Sequence, residues 1–187
     1  MTPAAGDRVL VLDASVLINL LHVRRLDLLG RLQGWRFCVP EEVCREVLRP
    51  EQEKLLAEAI VLTWLFKITL DPDEMQEADA LRKRHGLGRG ESACLALAAR
   101  RGWLIACDEA GKFPRLVEAS LGADRLLVSA DIVLLAIRRG LLDLGVADRF
   151  LRAWADNRYE VAFRSFAELL PQPPADERVG EAVLVWR

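Results

Sequence analysis

The chain has 187 residues, 52% of them hydrophobic and 29% charged, with a formal net charge of −2. This is the length of one domain with enough apolar material for a core; a disordered chain would be poorer in apolar residues and stronger in net charge. The longest uncharged apolar runs, such as 59–66, fall far short of the ~20 residues that span a bilayer. The first eight residues lack a basic region followed by an apolar one, so neither a membrane segment nor a signal peptide is expected.

Val9–Leu12 reads as a buried strand ended by Asp13, and from Ser15 the pattern turns helical, with Val16, Leu17, Leu20 and Leu21 on one face. Leu26, Leu28, Leu29 and Leu32 predict a second short helix, stopped near Gly34. A strand over Arg36–Val39 leads into a helix opened by Pro40 and its acids, expected to run to Leu48 and to break at Pro50. Residues 51–59 predict a helix, 65–70 a strand, and Asp71-Pro72-Asp73 caps a helix over 74–85. After the loop 86–90 come a helix over 91–101, a buried strand over 103–107 ending at Asp108, and a helix over 109–121. A short strand at 125–128 and two helices within 130–156 complete the series. Strands alternating with helices predict an α/β sandwich around a mostly parallel sheet.

Cys38, Cys44, Cys94 and Cys107 form no Cys-x-x-Cys pair, and only His22 and His85 exist to complete a zinc site. Free thiols in a reducing cytoplasm are the expectation. The basic clusters, Arg82–His85 among them, read as solvated helix faces, and the five tryptophans, including Trp103 and Trp154, as core or interface anchors.

In parallel sheets ligands sit beyond the carboxyl ends of the strands, where this sequence has Asp13 and Asp108. Glu46, on the helix after the second strand, and Glu91, in the first turn after Gly88-Arg89-Gly90, can join them. Each alone has an ordinary structural role: Asp13, Ser15 or Asp108 as a helix cap, Glu91 against a helix dipole, Glu46 as a solvated acid near Arg49. Together, four converging carboxylates repel one another unless they are protonated or bridged by cations. Hard oxygen ligands without histidine suit Mg²⁺ or Mn²⁺, ions that assist phosphodiester hydrolysis.

Four motifs, in order, resemble the PIN-domain family. Val11-Leu12-Asp13-Ala14-Ser15-Val16-Leu17-Ile18-Asn19 is similar to its opening strand and turn, and Val39-Pro40-Glu41-Glu42-Val43-Cys44-Arg45-Glu46 to its second motif. Gly88-Arg89-Gly90-Glu91-Ser92-Ala93-Cys94-Leu95-Ala96-Leu97-Ala98 resembles the third, with glutamate where many members have aspartate. Trp103-Leu104-Ile105-Ala106-Cys107-Asp108-Glu109 resembles the fourth, with Glu109 where a second aspartate is common. The likeness runs from about Val9 to Asp156. It implies a three-layer α/β/α sandwich within residues 1–170 and leaves 171–187 as a proline-rich linker with an apolar end.

The resemblance also implies divalent-metal-dependent endoribonuclease chemistry. Many bacterial and archaeal members are VapC-type toxins, each neutralised by an antitoxin protein encoded beside it. On that resemblance Asp13, Glu46, Glu91 and Asp108 hold Mg²⁺ or Mn²⁺, and Ser15, Asn19 and Glu109 support them. Lys112 and Arg115, one turn past Asp108, would contact the phosphate of an RNA substrate. A homodimer and an antitoxin partner follow from the same likeness. The alternative is a non-catalytic PIN-like module that binds RNA or a protein; the presence of all four acids favours the nuclease.

Ala182–Trp186 is strongly apolar and follows Pro171, Pro173 and Pro174, so an extra strand is expected that needs an edge or a partner to cover it. Deleting 171–187 should change oligomeric state or solubility in sedimentation experiments and leave stabilisation by Mn²⁺ intact. Loss of that stabilisation would place the tail in the metal site.

Overall fold

A computed structural model describes residues 6–170; the expected strand at 182–186 and its proline-rich approach lie outside them. The strands are β1 (Arg8–Leu12), β2 (Trp35–Pro40), β3 (Phe66–Ile68), β4 (Leu104–Ala106) and β5 (Leu126–Leu127). The helices are α1 (Ala14–His22), α2 (Asp27–Arg31), α3 (Glu41–Cys44), α4 (Pro50–Val61), α5 (Pro72–His85), α6 (Arg89–Arg101), α7 (Lys112–Leu121), α8 (Ser129–Arg138) and α9 (Leu144–Asp156). All five strands are parallel, in the order β3-β2-β1-β4-β5. The expected three-layer α/β/α sandwich is the one observed.

Strand β1 is the centre, with Leu10 beside Phe37 on one side and Leu104 on the other. Its residues Leu10, Val11 and Leu12 are fully buried, which is why they read as an unbroken apolar run and not as an alternation. Helix α6 lies across β1, β2 and β4 with α3, α5 and α7 beside it, while α1 packs with α4, α8 and α9. The chain runs outward from β1 through β2 to β3, then crosses back to β4 on the other side of β1. That reversal opens a crevice at the carboxyl ends of β1 and β4.

Several boundaries differ from expectation, each for a local reason. The helix after β2 ends at Cys44, and the chain goes on in tight turns, Glu46 N–H to Val43 C=O (3.0 Å) and Val47 N–H to Cys44 C=O (3.3 Å). Pro50 opens the next helix at its first position, where a missing N–H costs nothing. Helix α7 starts at Lys112, not Glu109, because Gly111 takes φ +110°, a conformation that interrupts a helix. The strands expected over 65–70 and 103–107 pair only at Phe66–Ile68 and Leu104–Ala106.

Two anchors fix the helical layers. Trp154, fully buried in α9, donates its indole N–H to the Asn19 carbonyl of α1 at 3.1 Å. On the other layer Arg101 clasps Glu74 of α5 with two bonds of 2.5 and 2.7 Å. Burial alone would push the Glu74 carboxyl up, but the guanidinium and the Asp71 N–H overcome it and hold it below its usual range. A carboxyl depressed in the folded state contributes stability above its unfolded pKa and loses it as pH falls through the folded value. Glu74→Gln should therefore cost about 1–3 kcal/mol at neutral pH, with a penalty that shrinks in acid. Asp73→Asn, which breaks only the exposed pair with Arg100, should cost less than about 1 kcal/mol. Urea unfolding of both variants at two pH values checks the contrast.

Candidate active site

Asp13 leaves β1 and becomes the N-terminal cap of α1, its N–H bonded to the Ala106 carbonyl of β4 at 3.0 Å. The residue is 2% exposed, and its Oδ2 accepts from the Ser15 N–H (3.2 Å) and the Ser15 hydroxyl (2.8 Å). The same Ser15 oxygen accepts the Asp108 N–H at 3.0 Å, so one hydroxyl ties the two strand ends together. The helix-cap role considered for Asp13 is real, and it leaves the carboxylate at the mouth of the crevice.

Glu46 is exposed as a residue, but its Oε1 turns inward and accepts the Gly90 N–H at 3.1 Å. A β-carbon at position 90 would stand 2.6 Å from that oxygen and 3.0 Å from Val43, so any larger residue there must displace the Glu46 carboxylate. One residue further on, Glu91 reaches back to accept the Gly88 N–H at 2.6 Å. Burial raises the Glu46 carboxyl above its usual range against the pull of the Gly90 N–H, and the charges of Asp13 and Glu91 raise it further.

Asp108 and Glu109 divide in direction. The Asp108 carboxylate accepts from Asn19 Nδ2 (2.7 Å), the Ser129 N–H (2.7 Å) and the Ser129 hydroxyl, which ties it to α1 and the start of α8. Tyr159 stands beside it; burial first, and then the Asp108 charge, keep that phenol protonated. Glu109 is the residue that shares its field with the other three acids. Its carboxyl is raised by burial and then by Asp13, Glu91 and Glu46.

Ser15 bonds Asp13 and Asn19 bonds Asp108. Lys112 lies toward the Gly86 turn and Arg115 is an exposed residue of α7, and no contact carries either to the acids. Sequence reasoning missed Ser129 and Tyr159. Ser129 carried a signal, being the first polar residue past the carboxyl end of β5, the position that drew attention to Asp13 and Asp108. Tyr159, on the stretch after α9, carried none.

The donor set is all hard oxygen, and its self-repulsion is what a divalent cation relieves. Among the described residues no three His, Cys, Asp or Glu side chains stand close enough to grip one ion as placed. The fit is therefore one of charge and ligand chemistry. Burial pushes the Cys38 and Cys107 thiols up to about 12 and Cys44 up to about 11, so these cysteines behave as small buried apolar groups. Also among the described residues, no helix is long and apolar enough to cross a membrane.

The acids stand at the reversal point of an all-parallel sheet, the place where ligands of open α/β sheets bind. A PIN-domain family model matches residues 9–148, and the chain belongs to that family. PIN domains are a nuclease fold that typically uses divalent metals. No curated protein and no solved structure matches the chain.

Gly90→Ala should push Glu46 out of the crevice at modest cost to the fold, because the carboxylate end is flexible and Val43 needs only a small shift. A fall in melting temperature of a few degrees with unchanged circular dichroism is expected; loss of the folded state would show that the α3–α6 approach has no slack.

Proposed function

We propose that the protein is a divalent-metal-dependent endoribonuclease, a toxin of a toxin–antitoxin pair or a related stand-alone PIN nuclease. The observation that carries this is the placement of Asp13, Glu46 and Glu91 at the reversal point of the sheet, Asp13 held by Ser15 and the two glutamates held at the start of α6. Bound there, Mg²⁺ or Mn²⁺ would stabilise charge on the phosphodiester and favour ionisation of water. Overall, a water oxygen attacks phosphorus, the ester P–O bond breaks, and the leaving oxygen takes up a proton.

The protein's own contribution is placement. The Gly88 and Gly90 N–H groups hold Glu91 and Glu46, and the Ser15 hydroxyl and N–H hold Asp13, so the acids keep their direction while ionised. Asp108, saturated by Asn19 and Ser129, is best read as a positioning residue that fixes the α1–β4–α8 corner, with Glu109 as the fourth acid of the site. The family resemblance extends the proposal to an RNA substrate, a homodimer, an antitoxin partner and a place in the cytoplasm. The presence of every acid favours this over a non-catalytic RNA- or protein-binding module.

The test is cleavage of a defined RNA pool with and without Mn²⁺, alongside melting curves. Asp13→Asn should abolish cleavage and the Mn²⁺-induced rise in melting temperature while the metal-free protein melts as high as wild type or higher, since asparagine still caps α1 and one repelling charge is gone. Glu109→Gln should behave like Asp13→Asn. Asp108→Asn should mainly lower stability, by about 1–3 kcal/mol. Full cleavage by Asp13→Asn would falsify the assignment.

A further inference from the structure

Beside the acidic crevice, between α3, α5 and α6, lies a cavity of about 260 Å³ lined by Glu42, Arg45, Leu70, Met75, Arg82 and Arg89, among others. Its floor carries an unexplained group: Glu42 Oε2 is closed off from solvent with no hydrogen-bond partner among the described residues. A buried carboxylate oxygen without a donor is costly, and the broad terminal torsion of glutamate lets it turn toward one in the space it lines. Around the floor stand apolar walls, Leu70 buried and Met75 49% exposed. Three arginines stand around the cavity, Arg45 reaching Glu41 at 3.4 Å and Arg82 reaching Asp79 at 3.1 Å, while Arg89 is exposed.

The cavity is continuous with the candidate active site along the chain. Arg45 precedes Glu46, Arg89 precedes Gly90, and Ser92, which also lines the cavity, follows Glu91.

The geometry points to a base-recognition subsite for guanine in single-stranded RNA, with Glu42 as the specificity-determining residue; this rests on the nuclease reading above. Proteins read unpaired bases at their Watson–Crick edges while apolar or planar side chains cover the ring faces. Guanine alone offers two adjacent donors on that edge, N1–H and N2–H, the match for a carboxylate, which only accepts. Uracil sets its one N–H between two carbonyl oxygens that repel the carboxylate, and adenine and cytosine place an acceptor nitrogen beside their amino group. The arginines offset the Glu42 charge and are suited to the flanking phosphates, which position an RNA without reading it.

Two arms test this. In the first, guanosine and adenosine 5′-monophosphates are titrated into the full chain without metal and followed by NMR shifts of the Met75 methyl. Guanosine should bind at least tenfold more tightly, and Glu42→Ala should erase the difference without changing the fold. In the second, ends produced from a random RNA pool are sequenced. Wild type should show guanine enriched at one fixed position near the cut, and Glu42→Ala should lose that enrichment at least tenfold. Equal binding of the two nucleotides, or a guanine preference that survives Glu42→Ala, overturns the subsite, and Glu42 is then a buried acid served by water or a neighbouring arginine. Guanosine binding that depends on Glu42 in a protein that cuts no RNA would keep the subsite and overturn the nuclease. Cleavage with no base preference would do the reverse.

Discussion

Carboxylates gathered at one end of a parallel sheet must be held against their own repulsion, and the local architecture answers that constraint. Asp13, Glu46 and Glu91 are each given a donor that the backbone already has to spare. Gly88 and Gly90 lie at the start of α6, where N–H groups have no partner within the helix, and they serve Glu91 and Glu46. Ser15 lies at the start of α1 and serves Asp13. The partial positive charge of the helix ends adds to the same effect. Asp13 sits at a helix start because β1 feeds a crossover at its carboxyl end, Glu91 sits in the first turn of α6, and Glu46 reaches that same helix start from the turns after α3.

The same constraint explains where the chain gives up regular structure. Between β4 and α7 the run Cys107–Gly111 belongs to neither element, and Gly111 at φ +110° ends it. Had the helix begun at Glu109, consecutive residues would point about 100° apart around its axis. In the irregular stretch Asp108 turns to Asn19 and Ser129, and Glu109, raised first by burial, also feels the charges of Asp13, Glu91 and Glu46. The truncation of α3 at Cys44 acts in the same way, since the tight turns that follow it carry Glu46 back under Gly90.

What could be read from the sequence follows from what is local. The apolar run of β1 and the glycines before α6 are short-range signals that placed Asp13 at its strand end and Glu91 in its first helical turn, whereas Glu46, expected on the helix opened by Pro40, lies in the turns past its end. The direction of two adjacent acids is not local. It depends on Ser129, twenty-one positions along the chain from Asp108, and on Asn19, eighty-nine positions back. A motif that ends in two acids names the pair but not the member that faces the crevice. Boundaries failed for a related reason: the pattern after β2 continues to look helical through Val47, which is buried, although the hydrogen bonds have already tightened from four-residue to three-residue spacing.

The two ends of the sheet are built to opposite purposes. At the amino ends of the strands charge is paired or stacked: Arg36 with Asp7, Arg101 with Glu74 and over Trp103 at 4.8 Å, Arg8 over Trp35 at 5.6 Å, and Arg125 on the Gly102 carbonyl. A cavity of about 860 Å³, lined by Trp35, Trp103 and these neighbours, lies there and not at the acids. Size alone would make it the first candidate for a binding site. Charge decides otherwise. Among the described residues, these arginines at the amino ends have a carboxylate, a carbonyl or a ring to satisfy them, whereas at the carboxyl ends burial and neighbouring acids hold Glu46 and Glu109 above their usual range. A reacting phosphate carried on a polymer needs an open rim of uncompensated charge that a metal can bridge, and an enclosed volume would exclude the chain on either side of it. The carboxyl end offers that rim, and the paired charges of the amino end leave the chain nearly neutral overall while the crevice stays acidic.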